Sequence, residues 1–354
     1  MAHIIELKLT ETKSTKIIIG KNFRKYLFSY IRKVQPTQAL YITDALLYPF
    51  LQKNIRKGSE NVFRLPVGES EKNFANFEKL LRFFYEKNID KKSLIIAFGG
   101  GMVSDITGFA ASVYYRGVPI IYIPTTLLSQ VDAAIGGKNT VNFQGSKNII
   151  GTVYLPKLIL IDPTLLSSLP KKEFASGIAE IIKCAAGFDK KLFALLEKMT
   201  DDHKGLLELI DRAVEIKIKF VETDFYELRK KRWLLNLGHS LGHALESQYQ
   251  LGLSHGEAVS IGLLFSLYIS FLKGNIQKEE FDYVINIFRK YGLPPQVKFS
   301  LSETMQKMRY DKKSFHDGIN FILIKNLGKS YICFMQFEEI QSWLEKFQLF
   351  YYSL

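Results

Sequence analysis

The chain has 354 residues, 47% hydrophobic, 23% charged and 13% aromatic, which excludes a disordered or fibrous protein and supplies enough apolar surface for two domains. Its formal net charge of +13 admits nucleic acid, an acidic membrane or an anionic small molecule as partner. The cations, however, lie in short groups such as Lys171–Lys172, Lys190–Lys191 and Arg229–Arg232, with no nucleic-acid-binding signature around them.

In chain order, the opening MAHIIELKLTETK lacks the basic start and apolar run of a secretory signal, so a cytoplasmic protein is expected. HIIELKL and STKIIIG read as strands, as do QALYITD (38–44, ending in Asp44) and NVFRLPVG. A helix over Asn73–Asn88 precedes SLIIAF (93–98), a wholly apolar strand of the buried parallel type. A Gly-rich turn, a helix and VPIIYIP (118–124) follow. Strand alternating with helix predicts an α/β, Rossmann-like doubly wound domain over residues 1–166. From 167 to 354 the pattern predicts a mainly α-helical domain, with helices over 172–200, 205–230, 236–249, 256–273 and 277–291 and a terminal hairpin turning at Asn326–Gly328. The longest apolar run, Ile261–Leu272, is interrupted by Gly and Ser and is too short for a bilayer, so no membrane association is expected. The two cysteines, Cys184 and Cys333, form no CxxC pair, which suits a reducing cytosol.

Three stretches carry chemistry. GGGMVSD (99–105) follows a strand and opens a helix, where small residues and free helix N–H groups can cradle a pyrophosphate. Asp44 can accept from a ribose hydroxyl or cap a helix; the sequence leaves both open. In PTTLLSQVDAAIGGK, Thr125 and Thr126 stand at a helix start, Asp132 lies in a small, apolar helix, and Lys138 occupies a Gly-Gly-Lys loop. With Lys147–Asn148 it offers donors to an anion. In NLGHSLGHALE, His239 and His243 share one helix face with Glu246, and His255 follows in SHGEA. Ser240 stands where a zincin would have its Glu, which excludes that protease chemistry. Three imidazoles with a carboxylate suit Zn²⁺, and Glu180, interrupting an apolar helix one turn before Lys183, is a candidate ligand.

The ordered set GGGMVSD, PTTLLSQVDAAIGGK, SKN, SGIAEIIK, NLGHSLGH and SHGEA, with PVGESEK near Glu69 and RYDKK at 309–313, resembles the 3-dehydroquinate synthase family from about Asp44 to the terminal hairpin. The resemblance implies an NAD-binding N-terminal domain, a divalent metal (Zn²⁺ or Co²⁺) and a homodimer. It implies Glu180, His239 and His255 as metal ligands, with His243 contacting the substrate phosphate and moving a proton, supported by Glu227. It places NAD on Asp44, Glu69, Lys72, Gly99, Gly100, Gly101, Asp105, Thr125 and Thr126. It places substrate on Asp132, Lys138, Lys147, Asn148, Lys183, Lys217, Arg232, Asn236, Lys312 and Lys313, and has Arg116 reach the neighbouring subunit's substrate.

The implied reaction takes 3-deoxy-D-arabino-heptulosonate 7-phosphate through transient oxidation by NAD, β-elimination of phosphate, re-reduction, ring opening and aldol closure. The substrate's carboxylate and phosphate match a site rich in Lys and Arg. Departures from the family pattern are Ser104 for a Gly, Asn139 for a Thr, Cys184 after Lys183, GFD at 187–189, and one extra residue between Glu227 and Arg232. The rival readings are a cyclase making an inosose or a valiolone, and a metal-dependent polyol dehydrogenase. A nucleic-acid-binding protein is disfavoured for want of a motif.

Overall fold

The computed structural model describes residues 2–10, 13–54, 61–200, 204–310, 314–315 and 317–354. The chain divides into two compact units, Met1–Leu169 and Pro170–Leu354.

The first unit runs β1 (His3–Thr10), β2 (Lys13–Ile19), α1 (Phe23–Val34), β3 (Ala39–Asp44), α2 (Tyr48–Asn54), β4 (Val62–Leu65), α3 (Phe74–Glu86), β5 (Leu94–Gly99), α4 (Gly101–Val113), β6 (Ile120–Pro124), β7 (Lys138–Phe143), β8 (Ser146–Val153) and β9 (Leu158–Ile161). Seven strands form one sheet in the order β1-β2-β9-β6-β5-β3-β4. Only β1 pairs antiparallel; the remaining pairs are parallel. All six residues of β5 are buried. Its Leu94, Ile96 and Phe98 pack with Phe23 and Leu27 of α1 and Leu51 of α2. Ile95 and Ala97 point to the opposite face and are buried too, with α4 lying against β3, β5 and β6. Burial on both faces is why this strand reads as an unbroken apolar run.

The strand order reverses between β3 and β5: the chain leaves β3 for β4, then returns across it to β5. At such a switch point the loops after the two strands part and leave a crevice at their carboxyl ends. Asp44 and Gly99 are the last residues of those strands. The hairpin β7–β8 was not expected from the sequence, which shows only loop lysines there. Its exposed strand carries no apolar stripe to announce it.

The second unit runs α5 (Lys171–Gly187), α6 (Lys191–Lys198), α7 (Leu206–Thr223), α8 (His239–Glu246), α9 (His255–Leu272), α10 (Lys278–Lys290), α11 (Leu301–Met308), β10 (Ser314–Phe315), β11 (Gly318–Asn326), β12 (Lys329–Gln336) and α12 (Phe337–Ser353). The three strands form an antiparallel sheet, and β11–β12 is the expected hairpin.

Two expected helices are shorter than their periodicity. The helix expected over 172–200 breaks after Gly187, where the N–H groups of Phe188 and Asp189 both bond the Cys184 carbonyl and Asp189 takes the N–H of Lys191. The helix expected over 205–230 ends at Thr223, because the next residue, Asp224, folds the chain back by accepting from the N–H groups of Arg229 and Arg232. The helix α12 was not among the expected elements; its Phe347 and Phe350 pack on Phe265 and Tyr268 of α9. That helix, α9, is long and apolar enough to cross a membrane, but 72% of it is buried within the protein, the packing of a core helix.

Candidate active site

At the carboxyl ends of the first unit's strands, α4 begins at the Gly turn. A Cβ on Gly99 would stand 2.6 Å from the Val103 side chain, so only glycine lets the helix start this close to its strand. Ser104, one of the departures from the family pattern, is buried. Its Oγ donates to the carbonyls of Gly100 and Gly101, so it braces the turn rather than facing a ligand. Thr125 N–H bonds the Gly99 carbonyl, and Thr126 Oγ1 accepts from Ser129 N–H, so both threonines lie beside the turn. Asp132 sits in the π-helical turn Ser129–Ala133 that follows.

Asp44 takes up the capping role with one of its two oxygens. Oδ1 accepts from the N–H groups of Leu46 and Leu47 at 2.9 Å, a turn-capping role, while Oδ2 has no partner among the described residues.

Behind the turn lies a polar cluster that sequence reasoning only half found. Lys72 is 3% exposed, and its Nζ donates to Asp105 and Asn148 and lies 3.5 Å from Glu69. Burial pulls an amine's pKa down, but Asp105 and Glu69 outweigh it and raise that of Lys72. Burial pushes the Asp105 carboxyl up, against the pull of Lys72. Thr140 and Asn142, which the sequence reading passed over, join the cluster. Thr140 Oγ1 donates to Asn148 Oδ1 at 2.8 Å, and Asn142 accepts from the Asn148 N–H and donates to Glu69. They alternate along β7, a period-two polar pattern visible once that segment is a strand.

Asn139 points inward: its amide donates to the carbonyls of Gly137 and Tyr154 and its oxygen accepts from Tyr122, so it anchors the loop and leaves neighbouring Lys138 exposed. Lys147 is half-buried and Asn148 exposed. Arg116 is exposed on a turn where it and Tyr115 both adopt left-handed φ, 61° and 49°.

In the second unit Glu180 and Lys183, one turn apart on α5, are both at least 98% buried and ion-paired. His239 opens α8 and His255 opens α9. The start of α9 is fixed by a capping box between Ser254 and Glu257, and Ser254 also bonds Ser176 of α5 at 3.0 Å. His239 Nε2 lies 3.6 Å and His255 Nε2 3.4 Å from the same Glu180 oxygen, Oε1. The other ring nitrogens are engaged elsewhere: His239 Nδ1 at 3.1 Å from the Leu237 carbonyl, His255 Nδ1 at 3.0 Å from Glu246 Oε2.

Burial and the nearby cations hold His239 well below the usual imidazole range. Burial would do the same to His255, but Glu246 and Glu180 push it up to about 10. Glu180 is held well below the carboxylate range: its burial is outweighed by Lys183, His239 and His255. Ligand atoms of Glu180, His239 and His255 lie within 4.8 Å of one another, as do those of His243, Glu246 and His255. His243, exposed, has its ring centroid 5.1 Å from that of His239.

The Asp224 loop brings Arg232 to Glu227, Nε to Oε1 3.5 Å, and Arg232 also donates to the Phe225 carbonyl. Burial would raise the Asp224 carboxyl, but the N–H groups of Arg229, Arg232, Lys231 and Leu228 hold it below its ordinary value. The sequence reading missed Asp224, which lies inside the helical pattern expected over 205–230. Asn236 ends the turn just ahead of α8, and Lys217 lies on α7, which packs on α5. Lys312 and Lys313 lie outside the described residues.

The fold is thus a parallel switch-point sheet in one unit and, in the other, a helical array holding a buried Glu–His–His set. Two solved structures share it. A 2-deoxy-scyllo-inosose synthase complexed with carbaglucose-6-phosphate, NAD⁺ and Co²⁺ superposes with a TM-score of 0.83 at 22% identity, covering 97% of this chain and 100% of its own. A 2-epi-5-epi-valiolone synthase from Streptomyces hygroscopicus subsp. jinggangensis, with NAD⁺ and Zn²⁺ bound, gives 0.84 at 24% identity, covering 97% and 99%.

Sequence is more specific. Residues 62–176 match the 3-dehydroquinate synthase N-terminal model and residues 177–314 the C-terminal one. The 3-dehydroquinate synthase of Caldanaerobacter subterraneus subsp. tengcongensis is 36% identical over 87% of this chain and 90% of its own. That of Pseudoalteromonas translucida is 40% identical over 92% and 95%. The chain belongs to the 3-dehydroquinate synthase family.

Proposed function

We propose that the protein converts 3-deoxy-D-arabino-heptulosonate 7-phosphate to 3-dehydroquinate and inorganic phosphate, a step of the shikimate route to aromatic amino acids. The observation that carries the reading is the convergence of Glu180, His239 and His255 beside Lys183 in a unit that matches the family's C-terminal model.

The set fits a divalent cation. Both Glu180 oxygens are buried; Oε2 pairs with Lys183, and two imidazole Nε2 atoms stand within 3.6 Å of Oε1. One carboxylate and two imidazoles suit zinc or cobalt, and such a metal supplies a Lewis acid for the substrate's hydroxyls. NAD fits the other unit, where Gly99–Gly101, Thr125, Thr126 and Asp44 Oδ2 surround the switch point and Glu69, Lys72 and Asp105 lie behind it. Bound there, NAD supplies a hydride acceptor that is regenerated each turnover.

The chain's own polar groups bind and orient. Lys138, Lys147, Lys183, Lys217, Arg232, Lys312 and Lys313, with Asp132, Asn148 and Asn236, are assigned to the substrate's carboxylate, phosphate and hydroxyls. His243, exposed next to His239, is assigned to the phosphate and to holding a proton there, with Glu227 supporting it through its loop. We read the protein as a cytoplasmic homodimer; Cys184 and Cys333, not joined in a disulfide, suit a reducing compartment, and Arg116 stands on an exposed, strained turn fit to reach a second copy's substrate.

The test is product identification. Purified protein with NAD⁺ and metal should release phosphate from the heptulosonate and form 3-dehydroquinate, without net NADH. Stoichiometric NADH would support a polyol dehydrogenase instead. Failure on this substrate with turnover of glucose 6-phosphate or a heptulose 7-phosphate would support an inosose or valiolone cyclase.

A further inference from the structure

We propose that Glu246 is the positioning residue for the metal site, holding His255 with its Nε2 lone pair toward Glu180. The inference rests on the reading of Glu180, His239 and His255 as metal ligands.

Glu246 is the last residue of α8 and its side chain is 10% exposed. Locally it is misplaced, since a carboxylate at a helix C-terminus meets the negative end of the dipole. A residue kept against its local preference points to a gain elsewhere. That gain is the contact to His255: Oε2 stands 3.0 Å from Nδ1. With Nδ1 engaged by Glu246, Nε2 is the nitrogen left to take a metal, and it is the one 3.4 Å from Glu180 Oε1. A carboxylate in this place fixes the ring's tautomer and rotation and makes the opposite nitrogen a better donor to a metal.

The two imidazoles are held differently. His239 Nδ1 leans on the backbone carbonyl of Leu237, a partner no side-chain change removes. His255, at the first residue of another helix, depends on a side chain that reaches from α8. Glu246 therefore ties the two ligand-bearing helices together at the site itself.

The experiment uses the full chain and Zn²⁺ as the probe, in competition with a chromophoric chelator, for wild type, Glu246→Ala, Glu246→Gln and His255→Ala. Glu246→Ala should weaken Zn²⁺ about 10–100-fold. Glu246→Gln keeps an acceptor and should fall between it and wild type, while the metal-free proteins unfold at similar temperatures. The Co²⁺ derivative of Glu246→Gln should show altered visible bands, which a residue serving only the fold would not produce. Wild-type affinity in Glu246→Ala alongside loss in His255→Ala overturns the positioning role and leaves the metal set standing. Two Zn²⁺ per chain, one of them lost in Glu246→Ala, overturns it in favour of a direct ligand at His243, Glu246 and His255. No Zn²⁺ binding in wild type removes the metal reading and this inference with it.

Discussion

A methyl group at Gly262 has nowhere to go. Built on the observed backbone, it would lie 1.9 Å from the Gly238 carbonyl oxygen and 2.8 Å from the Gly242 N–H nitrogen. Both are backbone atoms of the segment that starts α8, so no side-chain rotation relieves the overlap. Ordinary contact begins at 3.4 Å, so α8 must retreat from α9 by more than an ångström. His239 is the residue next to Gly238, and its Nε2 is 3.6 Å from Glu180. Metal–imidazole bonds of about 2.0–2.1 Å do not stretch to cover such a shift. Overpacking costs about 1–3 kcal/mol, partly offset by roughly 1 kcal/mol from alanine's better helix propensity.

Gly262→Ala is therefore expected to lose at most ~2 kcal/mol of stability and at least about tenfold in Zn²⁺ affinity, as ligand misplacement does. Ser266→Ala, one turn further along α9, removes only a hydroxyl bonded to the Gly262 carbonyl and serves as the control. Chelator competition and calorimetry on the same samples give both numbers. Wild-type Zn²⁺ affinity in Gly262→Ala would refute the claim that glycine-on-backbone contact sets the ligand geometry.

Lys72→Met strips the counter-charge from Asp105 and Glu69 and should cost about 3–5 kcal/mol, as breaking a buried pair does; urea unfolding of the full chain measures it, and a loss under 1 kcal/mol would contradict the cluster's role. Ser104→Gly should leave NAD⁺ affinity within about threefold while costing roughly 1 kcal/mol of stability, since its hydroxyl serves the turn. The Asp224 carboxyl is lowered by folding, so the unfolded chain takes up its proton first as pH falls. Its stabilisation is complete above the unfolded value of 3.8 and is lost as pH drops through the lower folded value; Asp224→Asn should flatten that part of the melting temperature against pH profile.

Much of the fold was legible because the signals are local. The apolar run at β5 and the glycines after it each act within a turn or two of chain. The break at Phe188 and the early end of α7 escaped because hydrophobic period continues through both. What stops each helix is hydrogen bonding: to the Cys184 carbonyl in one case and the Asp224 carboxylate in the other.

For the site, sequence by itself determined the residue types: a carboxylate on α5 and three histidines in order, with a small-residue turn after an apolar strand. Only the tertiary structure decided which nitrogens face Glu180, that Asp44 divides its two oxygens, and that Asn139 and Ser104 turn inward to brace loops. The reason is physical. Composition and spacing fix which groups exist and on which helix face they lie. Direction and partner depend on how closely backbones approach, as at Gly262, and no spacing rule carries that information.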